Sequence, residues 1–466
     1  MRLPDRVIFN PSVSNQHLQN SQKAAGMRLR NFSLIGSLAL SMCLLQGCTS
    51  PTTFRSQERI SQEYLFAAEF LYTFFIFPDS LPKDTFGFSS PEALYSSVKE
   101  RWTLYFPPDS AKMFLNDLTT QTVGMGIMLD SVSKGYLIKQ VFSNSPAQRA
   151  GLIKGDIIDS INGVSVAGAS YDSFTTIAEG NAGDIRKLDL LRNGGEVKIT
   201  LVLGAYFAPS VFTDSLDSTT AYIYLSFFSS ETDLPGGTAE EMDSALAATA
   251  WAPYTVLDLE GNPGGDMDQC VGVCGEFVPN GTKIIKIHEQ LLDTISWTVS
   301  TVDTFLVSSL PDHALQRKFV VLVDSNTASA AEIFTSCIMS NRPDIKTVGT
   351  RTFGKARGQV LNITPDSALV KVTFALFTPI LGPQYDLVGI VPAITIPSDS
   401  SAITVAEALI SQSEGTALAK RPAVSRTIAA DRIIALRQEF NHRRTEPLAY
   451  KKMRVSPQTR SGYYKH

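Results

Sequence analysis

The chain has 466 residues, of which 44% are hydrophobic and 18% are charged, and its formal net charge is −4 at pH 7. That length allows about three domains at roughly 150 residues each. The hydrophobic content excludes a wholly disordered chain, and the weak negative charge excludes a general nucleic-acid-binding protein. Five cysteines in so long a chain also exclude a disulfide-stabilised scaffold.

Residues 1–47 have the pattern of an export signal. Two arginines precede a mostly apolar stretch, 32–45, which runs into Leu-Gln-Gly-Cys48. These last four residues resemble the box of bacterial lipoproteins, in which the cysteine carries lipid. We predict that Met27 is the true start, that Cys48 is lipidated, and that the protein is anchored to the membrane in the bacterial cell envelope, on its periplasmic or outer-membrane side. A plain signal peptide or a short membrane anchor are the alternatives.

Residues 48–117 carry apolar side chains at helical spacing, many of them aromatic. Prolines at positions 82 and 91 interrupt the pattern. We therefore predict a small N-terminal helical domain of two or three helices.

Residues 118–206 change to short strand-like runs, with a hairpin turn at Asn193-Gly194. Four short motifs in this segment resemble a PDZ domain of the bacterial protease type. They are Ser145-Pro146-Ala147, Ala150-Gly151-Leu152, Gly155-Asp156-Ile157-Ile158 and Ile161-Asn162-Gly163. The resemblance implies a PDZ β domain at 118–206.

The resemblance also places the carboxylate-binding loop of the PDZ domain at Gly124, Met125, Gly126 and Ile127. Successive main-chain N–H groups in such a loop bind a terminal carboxylate, and the following strand pairs with an extended peptide. Met125 and Ile127 are expected to line the pocket for the last apolar side chain. A small β domain that only packs against its neighbours is the alternative.

Residues 207–412 alternate strand-like and helical segments, which predicts an α/β domain with a largely central sheet. The segments are expected at 220–227, 239–250, 254–259, 268–277, 319–323, 330–339 and 370–378, with a closing helix at 401–412. Within this domain Cys270 and Cys274 are one helical turn apart. Without a nearby histidine or third cysteine, we favour apolar packing over metal binding for both.

Residues 413–466 form a basic C-terminal extension, in which 12 Lys and Arg face 3 Asp and Glu from Lys420 onward. Its apolar residues at helical spacing are compatible with an anionic membrane surface or with docking on the core. A solvated or loosely docked extension is the simpler interpretation.

Ser329 is the candidate nucleophile of the α/β domain. It follows a buried strand, 319–324, through a turn of small residues into a helix, so its hydroxyl is expected beside helix N-terminal amides. Such amides stabilise negative charge that develops on a substrate. Gly264 and Gly265 also follow a strand. We predict that the amide of Gly264 or Gly265, together with that of Ala330, forms an oxyanion hole.

A serine nucleophile needs a base. His288 and His313 are the histidines of the α/β domain and neither lies in a motif, which disfavours a histidine-based triad. Lys355 lies in a glycine-flanked loop and can act as a base if burial lowers its pKa, with Gln359 orienting its amine. Taken singly, Ser329 is more simply a helix cap and Lys355 a surface lysine.

Taken together, these segments resemble the carboxyl-terminal processing peptidases, also called tail-specific proteases, over about residues 60–410. The resemblance is carried by Ala328-Ser329-Ala330-Ala331-Glu332-Ile333, Thr352-Phe353-Gly354-Lys355, Gln359 and Asn262-Pro263-Gly264-Gly265. It implies an α/β protease core of the ClpP/crotonase-like type at 207–412. It further implies that Ser329 is the nucleophile, Lys355 the general base and Gln359 the residue that positions Lys355. Glu332 is either part of this network or an ordinary first-turn helix residue.

The resemblance implies a serine endopeptidase that selects protein or peptide substrates by their free C-terminus through the PDZ domain. The reaction would pass through an acyl-enzyme without a metal or other cofactor, and no nucleic acid is an expected partner. Some positions depart from the family pattern: Glu260 replaces the usual Arg, Ala356 the usual Gly and Ala393 a frequent Asp. Asp344 is the nearest acidic residue downstream of the serine, with an open role.

Two other functions were considered. The first is a catalytically inactive, lipid-anchored PDZ protein that binds peptides. The second is a Ser-Lys acyl-transfer enzyme other than a protease, which the PDZ domain disfavours because such a domain selects peptide tails.

Overall fold

The structure is a computed structural model that describes residues 61–117, 121–292, 299–308, 313–397 and 400–413. Nearly all of these residues belong to one compact unit, which begins at Glu63, runs to Gln290 and resumes at Thr301. The predicted signal, the lipidation of Cys48 and nearly all of the basic extension lie outside the described residues. Within the described ranges, no helix is long and apolar enough to cross a lipid bilayer.

The N-terminal segment contains the expected helices and one additional strand. Its elements are α1 (Gln62–Phe74), α2 (Pro91–Ser97), β1 (Leu104–Phe106) and α3 (Pro108–Asp117). Leu71 and Leu94 of the helices are fully buried together with Val370 and Val372, which belong to the predicted protease core. β1 pairs with the same stretch of chain, Leu104 lying opposite Lys371. The described part of this segment, 61–117, therefore shares its hydrophobic core with the α/β domain.

The PDZ segment folds as a β domain with two short helices. Its elements are β2 (Gln121–Gly124), β3 (Ile127–Val132), β4 (Gly135–Val141), α4 (Pro146–Ala150), β5 (Ile157–Ile161), β6 (Val164–Ser165), α5 (Tyr171–Ala178), β7 (Ile185–Arg192), β8 (Gly195–Val202) and β9 (Gly204–Phe207). β2 pairs with β9, and the main sheet has the order β3-β4-β5-β7-β8 with β6 beside β5. The hairpin predicted at Asn193-Gly194 is present, with φ of 52° and 83° at the two residues, as a type I′ turn requires.

The motif residues of the PDZ segment end its helices and hold its loops. The Ser145 hydroxyl accepts a hydrogen bond from the Gln148 N–H at the start of α4, and Gly151 ends that helix in the left-handed conformation, with φ of 82°. The buried Asp156 accepts from Arg192 at 2.7 Å. The motif therefore encodes local geometry that holds the loop and strand junctions of the domain.

The α/β domain predicted at 207–412 is built on two sheets. Its elements are β10 (Val211–Ser215), β11 (Thr220–Leu225), α6 (Gly237–Ala248), β12 (Tyr254–Asp258), α7 (Met267–Phe277), β13 (Lys283–Leu292), β14 (Val299–Val307), β15 (Lys318–Val323), α8 (Ala330–Asn341), β16 (Lys346–Gly349), β17 (Arg357–Ile363), β18 (Leu369–Thr378), β19 (Ile394–Thr395) and α9 (Ala402–Ser413). A six-stranded sheet has the order β10-β11-β12-β15-β16-β19. A five-stranded sheet has the order β1-β18-β13-β14, with β17 also paired to β18.

Helices cover both faces of the six-stranded sheet. Along β15, Phe319, Val321 and Val323 pack in the hydrophobic cluster that contains α6, α7 and α8. Val320 and Leu322 pack in the other cluster, which contains α9. This alternation follows from the two-residue period of a strand. Cys270 and Cys274 are free thiols that are fully buried in the first cluster, in agreement with apolar packing.

The segments predicted at 220–378 are all found as strands or helices of the expected type. The strands β10, β13, β14, β16, β17 and β19 lie outside the segments predicted from the sequence. The neighbouring strands β12, β15 and β16 run parallel, and this matters for the candidate site. Because the carboxyl ends of parallel strands meet at one edge of the sheet, the loops after these three strands converge.

Candidate active site

Ser329 lies at the sharp turn between β15 and α8. Its φ is 55° and its ψ is −117°, a combination that residues other than glycine rarely adopt. Asp324 at the end of β15 holds the turn in place, because its carboxylate accepts from the N–H groups of Thr327 and Gly261, both at 2.9 Å. Ser329 is half-buried. The turn thus presents the serine side chain at the N-terminus of α8.

The glycine-rich loop after β12 lies directly against this turn. Asn262 anchors the loop, since its Oδ1 accepts from the Gly264 N–H at 2.8 Å and its carbonyl oxygen accepts from the Ala328 N–H at 2.9 Å. A Cβ atom on Gly264 would lie 2.7 Å from the Ser329 Cβ and 2.8 Å from the Ala330 nitrogen. Only glycine fits at this position, where the loop backbone approaches the serine turn closely.

The direction of the peptide groups shows which of the two candidate oxyanion donors, Gly264 and Gly265, has an N–H that is available. The Gly264 N–H already donates to Asn262. The carbonyl oxygen of Gly264 accepts from the Phe228 N–H at 3.0 Å. Because a trans peptide points its C=O and N–H in opposite directions, the Gly265 N–H points away from Phe228. Of the two glycines, Gly265 is therefore the one whose N–H is not committed to the Asn262 side chain.

Lys355 lies in the loop between β16 and β17. Its Nζ is 5.1 Å from the centre of the Trp102 ring. Burial lowers the pKa of Lys355 from 10.5 to about 8, the charges of Glu332 and Glu100 oppose this shift, and that of Arg101 adds to it. A lysine with this pKa is partly uncharged near neutral pH, which a general base requires.

Glu332 connects the serine turn to the lysine loop. Its Oε2 accepts from the Ser329 N–H at 3.0 Å and from the Lys355 N–H at 2.7 Å. Its Oε1 accepts from the Gly354 N–H at 2.7 Å and from the Thr352 hydroxyl at 2.6 Å. The carboxylate is fully buried. Burial raises the pKa of Glu332, and the four hydrogen bonds oppose that shift. Glu332 thus joins the serine turn to the lysine loop and also caps the first turn of α8. A part of Glu332 in catalysis stays a prediction.

The predicted positioning residue Gln359 lies on β17. Its side-chain amide donates to the carbonyl oxygen of Arg357 at 2.9 Å. Arg357 itself forms ion pairs with Glu100 at 3.0 Å and with Asp386 at 2.8 Å. An action of Gln359 on Lys355 remains a prediction.

Asp344 lies at the other end of α8 from Ser329. Its carboxylate pairs with Arg342 at 2.6 Å, and that pairing lowers the pKa of Asp344. A helix of 12 residues is about 18 Å long. Asp344 therefore pairs with the residue that follows α8 and does not belong to the group of residues around Ser329.

Three residues after α2 contribute to the surroundings of Lys355, and the sequence pattern did not indicate them. Trp102 is buried, and its ring lies 5.9 Å from that of Phe353. The Arg101 guanidinium stacks on Trp102 at 4.3 Å. Glu100 is buried and accepts from Thr103 and Thr373 hydroxyls, both at 2.8 Å. These residues are far from Lys355 along the chain, so no local sequence pattern connects them with it.

Lys371 on β18 is a second buried lysine near the site. Burial and, to a lesser extent, the positive charge of Lys355 lower its pKa from 10.5 to about 7, and the charge of Glu100 opposes this shift. The Nζ of Lys371 lies 5.1 Å from the centre of the Phe114 ring. A single lysine within the otherwise apolar start of β18 was a signal that could have identified it.

The predicted carboxylate-binding loop of the PDZ domain connects β2 to β3. Met125 and Ile127 are 7% and 3% exposed and pack in the PDZ core. A Cβ atom on Gly126, which has a φ of 79°, would lie 2.3 Å from the Ser145 Cβ. Because Met125 and Ile127 are buried, the expectation that they line an open pocket finds no support here, and peptide binding would rest on the main chain of the loop. β3, which follows the loop, is at the edge of the sheet as described.

Comparisons with known proteins agree with this architecture. Residues 219–396 match the model of peptidase family S41, and residues 137–192 match that of the PDZ domain. The chain is 27% identical over 319 residues to a "Probable CtpA-like serine protease" of Staphylococcus haemolyticus, a match that covers 65% of this chain and 61% of that protein. It is 26% identical over 306 residues to the carboxy-terminal processing protease CtpA of Bacillus subtilis, covering 65% and 62%. The chain thus spans about three fifths of the length of the curated relatives it matches.

Among solved structures, the chain is similar to the photosystem II D1 C-terminal processing protease, with a TM-score of 0.43 and 19% identity over 73% of this chain and 94% of that one. It is also similar to mature CPAF, with a TM-score of 0.38 and 14% identity over 76% and 98% of the two chains. By these matches, residues 219–396 are similar to peptidase family S41, and residues 137–192, which precede them, are similar to a PDZ domain.

Proposed function

We propose that this protein is a serine endopeptidase with Ser329 as the nucleophile and Lys355 as the general base. The observation that carries the proposal is the shared acceptor: the N–H groups of both residues donate to the same oxygen of Glu332. Because the two main-chain nitrogens bond to the same oxygen, the backbone of Ser329 lies close to the backbone of Lys355. The match of residues 219–396 to the model of peptidase family S41 supports the same activity.

The proposed reaction begins with the uncharged amine of Lys355. It removes the proton from the Ser329 hydroxyl as the oxygen attacks the carbonyl carbon of a peptide bond. The N–H groups of Gly265 and Ala330 stabilise the negative charge on the carbonyl oxygen. Lys355 then returns the proton to the leaving amine and the C–N bond breaks. Water, deprotonated by Lys355, hydrolyses the ester on Ser329, and no step requires a metal or other cofactor.

We further propose that the PDZ domain selects substrates by their free C-terminus. The loop at Gly124, Met125, Gly126 and Ile127 would bind the terminal carboxylate through its main chain, and β3 would pair with the peptide. Its position at the edge of the described sheet supports that mode. Lipidation at Cys48 would anchor the enzyme to a membrane of the bacterial cell envelope.

The test is digestion of an unstructured protein such as casein, and of a tailed peptide, by the parent chain and by Ser329→Ala and Lys355→Ala. The parent should cleave, both variants should lose cleavage, and all three should have the same circular dichroism spectrum. A parent that binds the tailed peptide without cleaving it would instead favour the inactive peptide-binding protein. Retained turnover in either variant would overturn the Ser-Lys assignment.

A further inference from the structure

A cluster of one histidine and two carboxylates lies in the protease core, apart from the residues assigned to catalysis. It consists of Asp243 on α6, Glu276 on α7 and His313, which precedes β15. One ligand atom from each residue lies within 4.8 Å of the other two. The nearest contacts are from His313 Nδ1 to Asp243 Oδ1 at 2.7 Å and to Glu276 Oε2 at 3.0 Å.

The hydrogen bonding within this cluster is incomplete. The Glu276 side chain is only 4% exposed, and its Oε2 is a buried acceptor that no hydrogen bond of acceptable geometry satisfies among the described residues. His313 Nδ1 carries at most one hydrogen, which cannot point at both carboxylate oxygens. A buried carboxylate oxygen without a donor is costly. A cation between the three atoms would remove that cost.

We propose that Asp243, Glu276 and His313 bind a divalent transition-metal ion, with Zn²⁺ as the ion. Two carboxylates and an imidazole form a ligand set that zinc accepts, whereas calcium and magnesium prefer oxygen ligands alone. Around a tetrahedral zinc the ligand atoms lie about 3.3 Å apart. The contacts at 2.7 and 3.0 Å would therefore have to lengthen by about 0.6 and about 0.3 Å. Asp243 and His313 are half-exposed, so they have room to move and a water molecule can take the fourth position.

The metal site would hold the ends of α7 and β15 that are opposite to the candidate active site. Glu276 is at the C-terminal end of α7, and the N-terminal end of that helix follows the Gly264-Gly265 loop. His313 precedes β15, which leads to Ser329 at its other end. The ion would join α6, α7 and the segment before β15 into one rigid support, and its role would be structural.

The experiment uses the full-length, untagged protein after removal of metal with a chelator. Zinc affinity is measured by competition with a chromophoric chelator, and the melting temperature is measured with and without zinc. We expect tight binding of zinc by the parent and an increase in melting temperature, because a ligand bound to the folded state stabilises it. His313→Gln, Asp243→Asn and Glu276→Gln should each weaken binding at least tenfold and abolish the increase.

The matched control is His288→Gln. His288 is also half-exposed and also contacts a carboxylate, with its Nδ1 2.8 Å from Asp303 Oδ1, but no buried glutamate completes that pair. This variant should bind zinc like the parent. Unchanged zinc affinity in His313→Gln would overturn the proposal, as would an equal loss in His288→Gln. An equal increase in melting temperature with magnesium or calcium would contradict the assignment to zinc. The three ligand variants are read independently, so a failure of one to fold leaves the other two as the test.

Discussion

The main-chain N–H groups of Ser329 and Lys355 donate to one carboxylate oxygen, Oε2 of Glu332, at 3.0 and 2.7 Å. Ser329 follows β15 and Lys355 follows β16, so the local sequence around either residue does not indicate that they are neighbours. A buried glutamate in the first turn of α8 brings their loops together. Its second oxygen holds Thr352 and Gly354 of the lysine loop.

Glu332→Gln should destabilise the protein and impair catalysis. A glutamine retains a single acceptor oxygen, so some of the four donors lose their partner in a buried place. Each unsatisfied buried group costs about 1–3 kcal/mol, and the lysine loop is expected to shift. Urea unfolding and peptidase assays measure the two effects. Glu240→Gln is the control, because Glu240 is exposed and accepts from the Gly236 N–H at a helix start. An equal loss of stability in both variants would contradict the role of Glu332.

Ser329→Gly and Ser329→Ala should both be inactive, but the glycine variant should be the more stable by about 1 kcal/mol. The reason is the positive φ of 55° at this position, which alanine retains with strain and glycine adopts freely. At Ser340, inside α8, the order should reverse, because glycine is a poor helix former. Denaturant midpoints of the four variants measure this. A less stable glycine variant at 329 would show that the turn holds no strain.

Activity should rise with pH through a pKa near 8, because Lys355 must be uncharged to accept a proton and is protonated at lower pH. Arg101→Gln should move this rise in activity, the acidic limb of the pH profile, to higher pH by a few tenths of a unit. The reason is that the Arg101 charge helps to lower the pKa of Lys355. Arg351→Gln removes the same charge from another exposed position and should leave the limb in place. The profile of kcat/KM reports the free enzyme. A shift of the Arg101→Gln limb to lower pH would contradict the electrostatic account.

Gly126→Ala should weaken the binding of a peptide with a free carboxyl group to the PDZ domain. The added methyl group would meet Ser145 at 2.3 Å and displace the loop that follows β2. Gly183→Ala is the control, because Gly183 also has a positive φ, of 97°, but nothing lies within 4 Å of its added methyl group. Because both variants carry backbone strain, a difference between their peptide affinities would report the displacement of the loop alone. Fluorescence anisotropy with the free acid and its amide measures binding. Equal affinity for acid and amide in the parent would refute carboxylate capture.

The sequence was most informative where local rules govern structure. The strand that leads into Ser329 is a continuous apolar run, and the Asn193-Gly194 turn and the Ser145 cap each follow from a few neighbouring residues. The strands β10, β13, β14, β16, β17 and β19 lie outside the segments that the sequence predicts. The sheet that contains β17 and β18 also receives β1, from the segment that was predicted as a separate helical domain. Pairing across such distances along the chain leaves no local trace.

For the site, the sequence by itself determined which residues could react: a serine at a strand-to-helix turn, a lysine in a glycine-flanked loop and a glycine-rich loop. Residue type and local backbone preference are sufficient for that, because each feature is encoded within a few positions. Only the tertiary structure decided that one buried carboxylate joins the serine and lysine loops and that the Gly264 N–H donates to Asn262. It also decided that the Trp102 ring, with Arg101 stacked on it, lies beside the amine of Lys355. The pKa of the amine depends on burial and on the charges of Glu332, Glu100 and Arg101. Glu332 comes close because the parallel strands β15 and β16 end side by side, and Glu100 and Arg101 precede β1, which pairs antiparallel with β18.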